Sequence, residues 1–146
     1  GQNSRLSEIN ASALVQKLNY LKKDTLHKIK LAKIYDKFLD KKNIVTPYYG
    51  CCKKIVHTYH RYVIRAKNRK RLIEYLKKNN IETKIHYEKN IHQQKSILKK
   101  IKIPFELKLT EKISNETLSL PINQFLNQKQ IKFVAEKIND FFKKNI

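Results

Sequence analysis

Five histidines, at positions 27, 57, 60, 86 and 92, are the side chains best suited to chemistry near neutral pH, where imidazole changes charge. Their spacing narrows what they can do. His57 and His60 stand three apart in residues 55–65, a run rich in β-branched and aromatic residues that reads as a strand. Three apart on a strand means opposite faces, so these two cannot grip one metal. His86 and His92 are six apart across a strand end and could converge. No Cys or carboxylate cluster completes a ligand set, so no metal is expected. Cys51 and Cys52 are adjacent, lack C-x-x-C spacing and would bridge only with strain; with no disulfide framework, the cytoplasm is the expected compartment. Two glycines in the whole chain exclude a Gly-rich phosphate loop, and no G-x-S-x-G elbow occurs. The best polar constellation is His86-Tyr87 at a strand end, with His92 and Gln93 just beyond, because strand ends and the loops after them commonly carry ligand contacts. A plainer reading stands beside it, in which Tyr87 packs and His86 hydrogen-bonds locally. Neither reading contains a complete catalytic set.

The elements that must position these residues follow from the apolar pattern. Residues 6–39 read as helix, with Ile9, Ala13, Leu14, Leu18 and Leu21, then Ile34, Tyr35 and Phe38, near a 3.6-residue period. More than thirty residues is long for a globular helix, so a bend or two packed helices is expected near Asn19-Tyr20. Residues 40–53 read as a loop marked by Pro47 and Gly50. In the strand 55–65, Val56, Thr58, His60, Tyr62 and Ile64 share one face. Asn68 is placed to cap a helix whose Leu72, Ile73 and Leu76 face the core, and Asn79-Asn80 to stop it. Residues 81–87 read as a second strand and 91–98 as a short helix, with Pro104 breaking the run. A helical turn over 110–116 leads to a short strand, 118–121. Asn127 with Gln130 three residues later opens a last helix with Ile131, Val134, Ala135, Ile138 and Phe142 in one stripe. Helices alternating with short strands give an α/β class: a few-stranded sheet covered by helices, preceded by a long N-terminal helix.

The chain has 146 residues, one domain's length, with 33 Lys+Arg against 12 Asp+Glu and a net charge of +21. Such a charge favours polyanions, so a free-standing basic nucleic-acid-binding module is the alternative function. Against it, only five of the basic residues are Arg, whose planar fork dominates specific readout. The lysines are also spread from Lys17 to Lys144 rather than gathered in one arm. A hydrophobic content of 40% is that of a folded domain, and no stretch is apolar enough for a membrane span, so no membrane partner is expected. There is no methionine, and the chain reads as an excised piece.

Four stretches fall in a specific order. They are Gly1-Gln2-Asn3-Ser4-Arg5-Leu6-Ser7-Glu8; His57-Thr58-Tyr59-His60-Arg61-Tyr62-Val63-Ile64-Arg65; Ile81-Glu82-Thr83-Lys84-Ile85-His86-Tyr87 with His92 and Gln94; and Thr110-Glu111-Lys112 with Leu118-Ser119-Leu120-Pro121. Together they resemble the C-terminal part of the DegT/DnrJ/StrS family of sugar aminotransferases, fold-type I enzymes that use pyridoxal 5'-phosphate. The departures are Glu88-Lys89-Asn90, where the family often has prolines, and Lys108, where a Leu-Pro is common.

The resemblance implies that residues 1–146 are the small C-terminal domain and its leading interdomain helix. The large cofactor-binding domain, with the lysine that holds the cofactor as a Schiff base, would lie upstream. No catalytic residue is therefore expected in this chain, and the chain alone is not expected to transaminate. The full-length enzyme would be a homodimer with a shared active site. Asn3 would reach the phosphate of the neighbour's cofactor with Arg5 close by, chemistry that suits an amide and a guanidinium at a helix N-terminus; Asn3 as a simple cap is the rival. His86, Tyr87 and His92 would line the substrate side, facing a nucleotide-linked sugar. The implied reaction moves an amino group from an amino acid, typically glutamate, to a keto sugar on a nucleotide diphosphate, for surface polysaccharide or lipopolysaccharide assembly. A regulatory member with the same fold is also compatible.

Overall fold

The computed structural model describes residues 5–47, 55–98 and 105–144; Asn3, Gly50, Cys51, Cys52 and Pro104 lie outside them. The chain opens with one uninterrupted helix, α1 (Glu8–Phe38), rather than two packed helices. Nothing in it breaks: it holds no Gly or Pro, and Ser7 caps it by accepting the Asn10 N–H at 3.3 Å. The expected apolar stripe is buried only in its second half. Leu31, Ala32 and Tyr35 are fully covered, whereas Ile9, Leu14, Leu18 and Leu21 are exposed. The reason is length. At 1.5 Å per residue α1 runs about 46 Å, while the helix packed along it, α5 (Gln128–Lys144), runs only about 25 Å.

Three strands, β1 (Ile44–Val45), β2 (Tyr62–Ala66) and β3 (Thr117–Leu120), form an antiparallel sheet in that order. Tyr62 pairs with Leu120, Arg65 with Thr117, and Ile44 with Ala66. β1 falls where a loop was expected, since two residues are too few to carry an alternation. The strand expected over 55–65 is confined to its end, because Tyr59 has a left-handed backbone (φ 48°) that interrupts extension. Within β2 the alternation holds: Tyr62, Ile64 and Ala66 are buried and Val63 is not. His60 is exposed and does not share the core face with Tyr62. The strand expected over 81–87 is reduced to one bridge, Lys84 with Ser119, and the left-handed Tyr87 (φ 64°) ends it.

Helix α2 (Arg69–Lys78) begins after Asn68, but not through the expected side-chain cap. Asn68 adopts a left-handed backbone (φ 56°) and makes no capping bond, so its use there is tolerance of positive φ. The stop is as expected. Asn80 is left-handed (φ 59°), its N–H bonds Lys77 O at 3.0 Å, and the Ile81 N–H bonds Leu76 O at 2.9 Å, a Schellman ending. The helix expected over 91–98 divides into a 3-10 turn, Ile91–Gln93, and α3 (Lys95–Leu98). α4 (Lys108–Glu116) leads directly into β3. The cap on α5 is reciprocal: Asn127 N–H to Gln130 Oε1 at 2.9 Å and Gln130 N–H to Asn127 Oδ1 at 3.0 Å.

One core joins these parts. Leu31 and Tyr35 of α1, Tyr62 and Ile64 of β2, Leu72 and Leu76 of α2, and Ile131 and Ile138 of α5 are all fully buried in it. The Tyr35 and Tyr62 rings lie 4.7 Å apart, and the Tyr35 hydroxyl donates to Pro121 O at 2.9 Å. Burial pushes the Tyr35 phenol far above its ordinary range, so it stays a neutral donor. Asn139 fastens α5 to the end of α1. Its Nδ2 donates to Phe38 O at 2.7 Å and its Oδ1 accepts the Asp40 N–H at 2.9 Å.

Candidate functional site

The bridge between Lys84 and Ser119 brings the segment before Tyr87 against the buried strand β3. Lys84 N–H donates to Ser119 O at 3.2 Å and Ser119 N–H to Lys84 O at 2.9 Å. Two residues on, His86 Nδ1 lies 2.8 Å from Ser119 Oγ. Ser119 is a buried polar residue on a strand whose neighbours Leu118 and Leu120 are also buried, so the imidazole supplies the partner its hydroxyl requires. Tyr87 does the opposite of packing. It is 83% exposed and held in a left-handed backbone that costs a non-glycine residue about 1–2 kcal/mol. Strain at an exposed aromatic beside an anchored histidine is a pattern of binding sites rather than of cores.

Two cavities meet at this point. The larger, about 920 Å³, lies between residues 79–86 and the loop from β3 into α5; the smaller, about 410 Å³, lies on the Tyr87 and α4 side. Arg61, His86 and Ser119 line both. The larger also takes in His60 and Lys84, and its far end is apolar, with Leu126, Phe133 and Val134. Among the described residues lining it, Glu82 is the one carboxylate, and it is spent on an exposed pair with Lys84 at 3.6 Å. Partial burial, followed by the charges of Arg61, Lys84 and His60, holds the His86 pKa below its ordinary value. The site is thus a cationic seam with a neutral imidazole, suited to hold an anion. Among the described residues no three His, Cys, Asp or Glu converge as a metal set.

The other expected site residues are placed differently. His92 sits in the 3-10 turn with Nε2 3.0 Å from Glu111 Oε1 of α4, and it lines neither cavity. Arg5 is exposed just ahead of the α1 N-terminus, and Asn3 lies outside the described residues. His57 turns its ring inward on its own loop, with Nδ1 accepting the Tyr59 N–H at 3.0 Å.

Residues 1–139 match the family model described as the DegT/DnrJ/EryC1/StrS aminotransferase family. The chain belongs to that family. It is 33% identical over 141 residues to the dTDP-3-amino-3,6-dideoxy-alpha-D-galactopyranose transaminase of Aneurinibacillus thermoaerophilus, covering 97% of this chain and 38% of that one. It is also 33% identical over 149 residues to the pleiotropic regulatory protein of Geobacillus stearothermophilus, covering 98% and 39%. Among solved structures, the DegT/DnrJ/EryC1/StrS aminotransferase from Brucella abortus superposes with a TM-score of 0.87 at 27% identity, covering 97% of this chain and 37% of that one. The chain therefore spans under two-fifths of the length of the relatives it matches.

Sequence reasoning on the DegT/DnrJ/EryC1/StrS chain missed Arg61, Lys84 and Ser119 as neighbours of His86. Arg61 and Ser119 are 25 and 33 positions away, and only strand pairing joins them. The Leu118-Ser119-Leu120-Pro121 run was itself the available signal, because a serine between buried leucines needs a polar partner.

Proposed function

We propose that this chain is the C-terminal domain of a pyridoxal-phosphate-dependent aminotransferase that transfers an amino group from an amino acid, glutamate by preference, to a nucleotide-linked keto sugar. The family match across residues 1–139 carries the reading. The product would serve surface polysaccharide or lipopolysaccharide assembly. In this proposal a large domain upstream supplies the cofactor lysine, the isolated chain is inactive, and two protomers share each active site in the cytoplasm.

The residues present suit the cofactor's phosphate. Arg5 is an exposed guanidinium beside the N-terminus of a 31-residue helix, a charge and dipole arrangement that favours a phosphate. Asn3 and Arg5 would hold that phosphate from across the dimer interface. When bound, the cofactor supplies the electron sink that lets the amino group change hands. This chain's own contribution is binding and orientation. His86 and Tyr87 face the sugar nucleotide, with Ser119 fixing the imidazole, and His92 shapes the substrate side by tying the turn after Tyr87 to α4. The cationic seam at His86 supports an anionic, nucleotide-linked substrate over a neutral sugar.

The test is the parent gene. Its reading frame upstream of Gly1 should encode a large domain with a cofactor lysine. The purified full-length protein should convert pyridoxal phosphate to pyridoxamine phosphate when given glutamate, followed by absorbance. An upstream frame that lacks the domain, or no conversion with any amino acid, would overturn the reading.

A further inference from the structure

The outward face of α1 carries charge that the His86 site does not use. Lys22, Lys23, Lys30, Lys33 and Lys37 recur at helical spacing on one side, opposite the buried Leu31 and Tyr35, and all five are exposed. At 1.5 Å per residue the row runs about 22 Å. α5 extends it: Lys37 Nζ and Lys132 Nζ lie 5.6 and 5.2 Å from the centroid of the same Phe38 ring. A third cavity, about 710 Å³, opens at the start of the row between α1 and the loop ahead of α5, and takes in Lys22, Lys23, Lys30 and Gln124. Among the described residues lining it, Asp24 is the one carboxylate, and it shares no lining residue with the two cavities at His86.

The loop beside these lysines is fixed at its tip. Asn123 Oδ1 accepts the N–H groups of Phe125 at 2.9 Å and Leu126 at 3.2 Å, and His27 Nε2 of α1 donates to Leu126 O at 2.8 Å. Between these anchors Phe125 is 85% exposed, the highest value for a large apolar side chain among the described residues. Leu26, on the lysine face itself, is also exposed. A tip that holds an aromatic ring in water beside a row of cations suits a partner with an anionic surface and an apolar layer beneath it.

Charge narrows the partner. A second copy also carries +21 and is repelled. Specific nucleic-acid readout favours the fork of Arg, and residues 19–37 hold none. A leaflet of anionic lipids responds to charge rather than to fork geometry, and each lysine near it adds attraction. No spanning helix is required, because a peripheral contact needs only clustered cations and an apolar wedge. We propose that the outer face of α1 and the Phe125 tip dock peripherally on an anionic lipid bilayer, with the lysines at the headgroups and the Phe125 ring inserted below them. This contact does not depend on the aminotransferase reading.

The test is co-sedimentation of the 146-residue chain with vesicles in about 150 mM salt, where diffuse attraction to a basic chain is screened. Vesicles of phosphatidylcholine with about 30% phosphatidylglycerol should bind at least tenfold more tightly than phosphatidylcholine alone. Lys22→Gln, Lys23→Gln and Lys30→Gln combined should weaken that binding about tenfold or more. The same triple change at Lys67, Lys70 and Lys78, exposed and outside the row, should weaken it less than about threefold. The chain contains no Trp, so Phe125→Trp supplies a single reporter whose emission should shift to the blue with the anionic vesicles only. Equal losses in the two triple variants, an unshifted emission, or no preference for anionic vesicles would each overturn the proposal. Tighter binding to duplex DNA than to the anionic vesicles, lost in the Lys22, Lys23 and Lys30 variant, would assign the row to nucleic acid instead. Should that variant fail to fold, the Phe125→Trp emission decides alone.

Discussion

His86 is held by Ser119 on one side and crowded by positive charge on the other, and both shape its response to acid. Its pKa lies below the ordinary 6.5 through partial burial and then through Arg61, Lys84 and His60. The unfolded chain therefore takes up this proton first as pH falls. The stability that His86 contributes is present above about 6.5 and is lost as pH drops from there through the lowered folded-state pKa. Urea midpoints measured from pH 7.5 down to 5 should show this loss, and His86→Gln should flatten that part of the profile; an unchanged profile would contradict the assignment. Tyr87 carries the opposite compromise. With 83% of its surface exposed it has little packing to lose, and its left-handed backbone suits glycine. Tyr87→Gly should raise stability by about 0.5–1 kcal/mol, the relief of strain less the added chain entropy. If the proposed function holds, the same change should weaken sugar-nucleotide binding in the full-length protein. A destabilised Tyr87→Gly variant would mean that the ring has a packing role the exposed position does not suggest.

At the level of elements, the site depends on how firmly α1, α5 and the sheet are joined. Asn139 is the smallest part with the largest leverage, because it satisfies Phe38 O and the Asp40 N–H at the turn out of α1. Asn139→Ala strands both groups and should cost about 2 kcal/mol, seen as a lower urea midpoint with an unchanged slope. A cost below about 0.5 kcal/mol would show that water replaces both bonds. The capping pair Asn127 and Gln130 and the Schellman ending at Asn80 could be read in advance because each is a local motif three to five residues long. Strand extents could not be read so well. Residues 55–65 have strand composition throughout, yet only Tyr62–Ala66 finds a partner, and extension is interrupted at Tyr59.

For the whole molecule, the long helix and the charge both point outward. α1 presents Ile9, Leu14, Val15, Leu18 and Leu21 to solvent over a length that α5 cannot reach. An isolated helical stretch of this kind is marginal in water. In the 146-residue chain, backbone amides from Glu8 to Leu21 should exchange with solvent at least tenfold faster than those from Leu31 to Phe38. Uniform protection along α1 would mean that the chain covers this face itself, for example by self-association. The net charge of +21 should give at most a diffuse attraction to nucleic acid, lost steeply between about 50 and 200 mM salt. No helix among the described residues is long and apolar enough to cross a membrane.

What the amino-acid order determined by itself is what depends on near neighbours: helix periodicity, the cap on α5, the stop after α2, and the motif order that marks the family. Tertiary structure alone decided which half of α1 is buried, because that depends on the length of a partner more than a hundred residues away. It also decided that His86 turns to Ser119 while His92 turns to Glu111, although the two histidines are only six apart. Arg61 shows the difference most plainly. In the chain it is one of 33 basic residues; folded, it is a half-buried charge lining two cavities. Antiparallel pairing of β2 with β3, and of Lys84 with Ser119, brings together groups that local sequence keeps apart.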